Sequence, residues 1–423
     1  MRMRVKKNVL RLNKKEYKFL QYLSRNSKNL YNQTLYAVRQ HYFKTGEYLN
    51  YFKTYPSLKD CESCQALPSD PAQQVMKVVD RSFRSFFALL WKKKQGNYSL
   101  PINIPKYLPK DGYFPIIFPC REGRMKDYFR TNVQKHLQKR FGIKQITFPR
   151  PECIKDKKLK EVRLLPKLNH FEIEWVYEEL SIPQQLDEQR VLGIDLGVSN
   201  FATCVDSEPG HPFILDGREL KSYNRYFNKR TAKMKPKSHN KLKLFDKRRR
   251  ILNNSLNQYV NFILQYVLEN KIGNIIIGEG YLAPKNLGKK NNQNFVNIPF
   301  AQFIQKLKSK CEIYGIKFTI TEESYTSKCD HLAKEPMKHS ENYLGKRVHR
   351  GLFRSSTKVL LNADVNGALG MLLKRNHEIS VKKLVNSGCL TQPRRITLRE
   401  IWKNSSIQLV KKLTFQAPPL AVG

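Results

Sequence analysis

The sequence predicts a multidomain α/β protein in which a small β-barrel domain, carrying an inserted helical bundle, precedes an α/β domain. Three observations lead there. With 423 residues the chain exceeds what one small core fills, so two or three domains are expected. Its texture changes twice: helical periodicity over residues 13–98 gives way to short, proline-flanked apolar runs over 99–189, and from 190 onward strand-like and helical stretches alternate. Within that alternating stretch, a pair of β-branched runs each close on a single acid, Asp195 and Glu279.

Residues 1–12 alternate basic and apolar side chains (Met3, Val5, Val9), as one strand would. From Asn13, Leu20, Leu23, Leu30, Leu35 and Val38 recur at helical spacing, predicting one or two amphipathic helices that end before Gly46. Ser69-Asp70-Pro71 offers a capped helix start, and Val75, Val79, Phe83, Phe86 and Leu90 form one apolar stripe ending in Lys92 to Lys94. The stripe reads as core, which leaves the exposed Lys and Arg for phosphate contacts. Runs at 113–118, 145–148 and 171–177 predict a barrel or sandwich to which residues 1–12 add a strand. The expected division is therefore a barrel (1–12 with 99–189), a bundle (13–98), an α/β domain (190–375, with a basic insertion at about 322–361) and a flexible basic tail (376–423).

Charge narrows the partner. Lys and Arg number 78 against 35 acids, a net charge of +43, and such self-repulsion calls for a polyanion. Nucleic acid fits best, because the charges are interleaved with Tyr and Phe along the whole length. No apolar run approaches the roughly 18 residues of a membrane span, and the first residues lack the apolar core of a secretory signal, so a cytoplasmic, nucleoid-associated protein is expected. The eight cysteines are scattered, with only Cys61 and Cys64 spaced as C-x-x-C, which predicts free thiols; a lone pair lacks the two further ligands of a zinc site. Two stretches concentrate positive charge. Residues 228–250 carry Lys229, Arg230, Lys243, Arg248 and Arg249 against the single acid Asp246, and the insertion carries Lys328, Arg347, Arg350 and Arg354; both predict phosphate contacts.

The chemistry centres on acids. Asp195 interrupts a run apolar on both sides, where an unpaired carboxylate is costly. Glu279 closes Asn274-Ile275-Ile276-Ile277-Gly278-Glu279, and Asp364 stands in the first turn of a helix opened by Asn362-Ala363. An α/β core gathers such positions at one sheet edge, where three carboxylates repel unless divalent cations hold them. Magnesium suits oxygen ligands and bridges to phosphate, and two ions about 3.5–4 Å apart support phosphodiester hydrolysis. Gly193-Ile194-Asp195-Leu196-Gly197 with Asn200 also resembles the first phosphate loop of the actin and heat-shock-chaperone ATPases. Those need later glycine-rich loops, whereas this chain has no Gly-Gly pair, and its charge fits them poorly.

Together, Asp195 in Gly-Ile-Asp-Leu-Gly-Val, Glu279 in Ile-Ile-Gly-Glu and Asp364 in Asn-Ala-Asp-Val-Asn-Gly-Ala resemble the three acid motifs of the ribonuclease-H-like RuvC nuclease domain of TnpB proteins. These are transposon-encoded, RNA-guided DNA endonucleases related to compact type V CRISPR effectors. The similarity extends over Glu322 to Lys328 and His349 to Arg354, and the order of bundle, barrel and nuclease matches along most of the chain. The resemblance implies a magnesium-dependent DNA endonuclease whose two ions are held by Asp195, Glu279 and Asp364. Its implied partners are a guide RNA and target double-stranded DNA, with no membrane, and the protein is a monomer in the RNA complex. Base pairing then supplies most of the sequence specificity. One departure concerns zinc: many relatives carry two C-x-x-C pairs between the second and third acids, where this chain has only Cys311 and Cys329 with His331, His339 and His349, irregularly spaced. The insertion is expected to keep its role through packing and charge without zinc. Two other readings stay open, a strand-transferring DNA transposase using the same acids and a nucleic-acid-binding regulator in which they are idle.

Overall fold

The computed structural model describes residues 2–120, 127–208, 211–236, 238–279, 297–374 and 390–403. It divides into two units, Met1–Leu180 and Ser181–Gly423.

In the first unit the alternating N-terminal residues form β1 (Arg2–Val9). Asn13 then opens α1 (Lys14–Thr45) with a capping box: its side chain accepts from the Glu16 backbone while Glu16 reaches back to the Asn13 backbone. Gly46 ends the helix at φ 72°, a left-handed turn that glycine takes without strain. There follow α2 (Tyr51–Leu58), α3 (Glu62–Gln65) and α4 (Ser69–Lys94), the last starting behind Pro68 without a side-chain cap from Ser69. Next come β2 (Ile116–Pro119), β3 (Tyr128–Asn132), α5 (Lys135–Phe141), β4 (Gln145–Pro149), β5 (Leu159–Pro166) and β6 (Phe171–Glu179).

The expected barrel is corrected here. Among the described residues the strands form an open antiparallel sheet, β1-β6-β5-β2, and a separate β3–β4 pair. Four strands are too few to close around a filled interior. Helices cover the sheet instead. Phe19, Leu20, Val75 and Phe83 of α1 and α4 share one core with Ile116, Val162 and Trp175 of the sheet, so bundle and sheet are packed as a single body.

The second unit contains β7 (Asp187–Leu196), β8 (Asn200–Asp206), β9 (Phe213–Asp216), α6 (Arg218–Ala232), α7 (His239–Glu269), β10 (Ile272–Gly278), α8 (Phe300–Tyr314), β11 (Lys317–Thr321), β12 (Lys346–His349), β13 (Leu352–Arg354), β14 (Leu360–Asn362), α9 (Ala363–Leu373), β15 (Arg394–Ile396) and α10 (Leu398–Lys403). Its main sheet runs β11-β10-β7-β8-β9-β15. The β10–β11, β10–β7 and β15–β9 pairs are parallel, and β7–β8 and β8–β9 are antiparallel.

Both faces of this sheet are covered, which is why its central strands read as continuous apolar runs. Leu192, Ile194, Ile275 and Ile277 pack with Leu256 and Tyr259 of α7 and Phe303 and Leu307 of α8. Val191, Val205 and Ile276 pack on the other face with Val365, Leu369 and Leu372 of α9. Gly193 lets α9 come close, since a Cβ there would lie 2.8 Å from the Ala368 carbonyl oxygen.

The expected flexible tail also needs correction. Residues 390–403 supply β15 at the sheet edge, and Ile396, Leu398 and Ile401 are buried in the α7-side core. Three apolar residues spread over a three-residue strand and a six-residue helix make too short a pattern to stand out in sequence. The rest of that tail, 376–389 and 404–423, lies outside the described residues. No helix among the described residues is long and apolar enough to cross a membrane.

Candidate functional site

Strand alternation decides which acids meet. Along β7, Val191, Gly193 and Asp195 face α9, while Leu192 and Ile194 face α7 and α8. Asp195 is half-buried, and a Cβ on Gly367 would lie 2.8 Å from its Oδ2, so the missing side chain makes room for this carboxylate against α9. Asp364 stands one turn earlier in the same helix. Asn362 caps that helix, its Oδ1 accepting from the Asp364 backbone at 3.0 Å and from the Val365 backbone at 3.4 Å. The Asn200 amide, at the start of β8, donates to Asp364 Oδ2. Asp195 and Asp364 are therefore brought to one end of the sheet on the α9 face, with Asn200 orienting the second.

Glu279 is placed differently. Ile277 pairs in register with Ile194, so the next step along both strands sets Gly278, not Glu279, beside Asp195. The Glu279 backbone, just past the end of β10, donates to Thr321 O at 2.9 Å, and its side chain is exposed. It therefore stands at the same end of the sheet as Asp195. Asp195 and Asp364 offer hard oxygen donors of the kind magnesium takes, one or two carboxylates completed by substrate phosphates. Among the described residues no three His, Cys, Asp or Glu side chains are grouped so as to hold an ion by themselves.

The insertion is organised by carboxylates that sequence reasoning passed over. Asp330 is fully buried and its Oδ2 accepts from Ser355 Oγ (2.8 Å), Ser356 N (2.7 Å) and Ser356 Oγ (2.9 Å). Glu335 accepts from the backbones of Asp330 (2.7 Å) and Leu344 (2.9 Å). This network ties the loop to the small antiparallel sheet β12-β13-β14. Cys329, His331, His339 and His349 are not gathered into a ligand set: Cys329 Sγ lies against Pro336 O, and His349 is exposed. Polar and close contacts join the insertion to α9. Asn366 donates to Cys329 O at 2.9 Å, and His331 packs where a Cβ on Gly370 would stand.

His331 donates from Nε2 to Thr326 O at 2.7 Å, and burial holds its pKa below the ordinary 6.5. Above about pH 6.5 native and unfolded chains both keep it neutral. As pH falls below that value the unfolded chain takes up a proton that the native one refuses, and stability drops by up to about 1.4 kcal/mol per pH unit. Melting followed from pH 7.5 to 5.5 is expected to show this loss in the wild type and a flatter profile in His331→Gln; parallel profiles would refute it.

The basic residues separate into exposed and committed ones. Lys229 and Arg230 end α6, with Arg230 donating to Tyr226 Oη at 2.8 Å, and Lys243 is exposed on α7. Arg249 pairs with Asp246 at 2.8 Å on the surface. Arg248 is half-buried and bonds Asn224 Oδ1 (2.8 Å) and Asn297 O (2.9 Å) while covering the Phe227 ring, so it pins α6 to α7. Lys328 lies 5.8 Å from the Tyr343 ring centre, and Arg347, Arg350 and Arg354 are exposed on the β12–β13 hairpin and its turn.

Comparison with known proteins adds a family context. Residues 173–282 match the family model OrfB_IS605, described as a probable transposase. Residues 300–371 match the Cas12f1-like TNB domain. No curated protein matches the chain. Among solved structures, the chain is similar to the protein in a cryo-EM structure of the Cas12f1-sgRNA-target DNA complex, at 17% identity and a TM-score of 0.54, covering 83% of this chain and 81% of that one. A CRISPR-Cas12f ternary complex matches at 16% identity and a TM-score of 0.35, covering 84% and 81%. The first of these shows that the mixed α/β multidomain fold resembles that of Cas12f.

Proposed function

From the likeness to the OrfB_IS605 and Cas12f1-like families, which bears out the resemblance to TnpB proteins, we propose that the chain is an RNA-guided, magnesium-dependent DNA endonuclease. In this reading Ser181–Gly423 contains a ribonuclease-H-like RuvC nuclease, and guide RNA and target double-stranded DNA are the partners. Cleavage falls next to a short recognition motif. The observation that carries the proposal is that Asp195 lies against Gly367 of α9, one turn from Asp364, whose carboxylate accepts from Asn200. Glu279, at the same end, is the third carboxylate of the proposed metal set.

Magnesium bound there supplies Lewis-acid activation of water and neutralises charge on the phosphodiester. The chain's own residues hold and orient. The rigid β7–α9 contact fixes Asp195, and the Asn200 amide fixes the rotation of the Asp364 carboxylate. Exposed Lys229, Lys243, Arg347, Arg350 and Arg354 attract phosphates without reading sequence, which is left to guide pairing.

Asp195→Ala, loaded with guide RNA, is expected to lose target cleavage by more than about 10³-fold and to retain the RNA. Exchange of the guide should redirect the cut in the wild type, an outcome that strand transfer between transposon ends does not predict. Cleavage by Asp195→Ala at the wild-type rate would sink the metal-site reading.

A further inference from the structure

We propose that a pocket between α1, the end of α2 and the stretch around Tyr107 binds an unpaired base of the guide RNA, stacked against Tyr36 and Tyr107. The RNA is the partner in the reading above, while the pocket rests on its own geometry.

A cavity of about 460 Å³ opens on the first unit, within the range of about 300–1,000 Å³ typical of sites for small organic groups. Gln33, Tyr36 and Ala37 of α1 line it with Leu58 at the end of α2, Cys61 and Tyr107. Residues 33, 36 and 37 fall on one side of α1 within a turn. Tyr36 and Tyr107 are 58% and 43% exposed, so two aromatic rings border an apolar hollow that no other part of the chain covers among the described residues.

The walls are set in advance of any ligand. Asn32 accepts from the Leu108 backbone at 2.9 Å and donates to its carbonyl at 3.0 Å, which ties the stretch carrying Tyr107 to α1. The Arg39 guanidinium lies 5.0 Å from the Tyr107 ring centre and 5.5 Å from that of Phe43, and so holds the phenol by its π face. Of the C-x-x-C pair, Cys64 is buried and Cys61 lines the cavity, its Sγ donating to Gln33 Oε1 at 3.4 Å. That contact leaves the Gln33 amide its NH₂ to donate to a base edge.

These features favour a nucleobase as occupant. A planar heterocycle stacks on aromatic rings whatever its identity, and its edge accepts an amide hydrogen bond. Arg39 and the exposed Lys106 bring positive charge next to Tyr107 for the adjoining phosphates, whereas Asp60 and Glu62 flank Cys61 and turn the backbone away from that wall. A guide RNA offers unstacked bases in loops and bulges, while a double-stranded target keeps its bases paired until it is opened.

Cys61 serves as the reporter in the test. The full chain is alkylated with N-ethylmaleimide beside a short single-stranded RNA, and each cysteine is followed by peptide mass spectrometry. RNA at about ten times its dissociation constant should slow alkylation of Cys61 about tenfold relative to the exposed Cys153. In Tyr36→Ala the RNA concentration for half protection is expected to rise by about 5- to 100-fold, with Tyr36→Phe close to the wild type and melting temperature unchanged in both. The same RNA with abasic residues, or annealed to its complement, should not protect. Protection by the abasic strand or the duplex, an unchanged half-point in Tyr36→Ala, or no protection at all overturns the pocket. Stronger protection by single-stranded DNA of the same sequence overturns the assignment to guide RNA. Alkylation is read without cleavage, so a wild-type chain that does not cut rejects the nuclease reading and leaves the pocket to be decided by Cys61.

Discussion

Asp364→Asn is expected to slow guided cleavage by about 10³-fold or more while the protein stays folded and RNA-bound. A thousandfold loss corresponds to about 4 kcal/mol of transition-state stabilisation. The competing effect on stability is much smaller. Asp364 lies in the first turn of α9, behind the Asn362 cap, where a negative charge is worth about 0.3–1 kcal/mol against the helix dipole. Asparagine has nearly the same shape and keeps an oxygen that can accept from the Asn200 amide. What it lacks is the charge that a divalent cation requires. Single-turnover cleavage measured beside a melting curve separates the two effects. A wild-type rate, or a rate loss that merely tracks unfolding, would remove Asp364 from the metal set.

The second large effect concerns stability rather than chemistry. Asp330→Ala should destabilise the second unit by about 1.5–3 kcal/mol, several times a typical surface substitution. The buried carboxylate takes three hydrogen bonds on one oxygen from Ser355 and Ser356, and its loss leaves the buried Ser355 hydroxyl without this acceptor, while the exposed Ser356 can turn to water. The disturbance should not stop there, because the neighbouring Cys329 carbonyl receives Asn366 of α9. Hydrogen exchange is expected to quicken over residues 326–362 and at the start of α9. Protection at wild-type levels in both places would show that packing alone holds the insertion.

Much of this was legible in the residues themselves. The alternation of residues 1–12, the Asn13 and Gly46 helix limits and the apolar runs around Asp195 and Glu279 are local signals, and each reappears as an element. What stayed hidden depends on pairing across the chain. Glu279 stands at the end of a β-branched run as Asp195 does, but only the β7–β10 register shows that Gly278 is the residue level with Asp195. A shift of one residue along a strand reverses the face, and composition carries no record of it. Arg248 illustrates the same limit for charge. It sits in a basic run and reads as a phosphate ligand, yet its guanidinium serves Asn224 and Asn297, a commitment fixed by contacts 24 and 49 residues away. The barrel failed for a related reason, because short strands announce a sheet without saying whether it closes.

The strand β15 has a consequence for how the second unit is made. It lies parallel to β9, and Arg395 reaches Asp216 at 3.6 Å, so the last described strand completes an edge begun near the start of the unit. During synthesis the backbone of β9 must wait, unpaired on one side, while nearly the whole unit emerges from the ribosome. Pairings of such long sequence separation are slow to form, and an open edge is a template for another chain. The interval between translation of β9 and translation of β15 is thus the period in which the nascent protein is most exposed to misassembly with its neighbours.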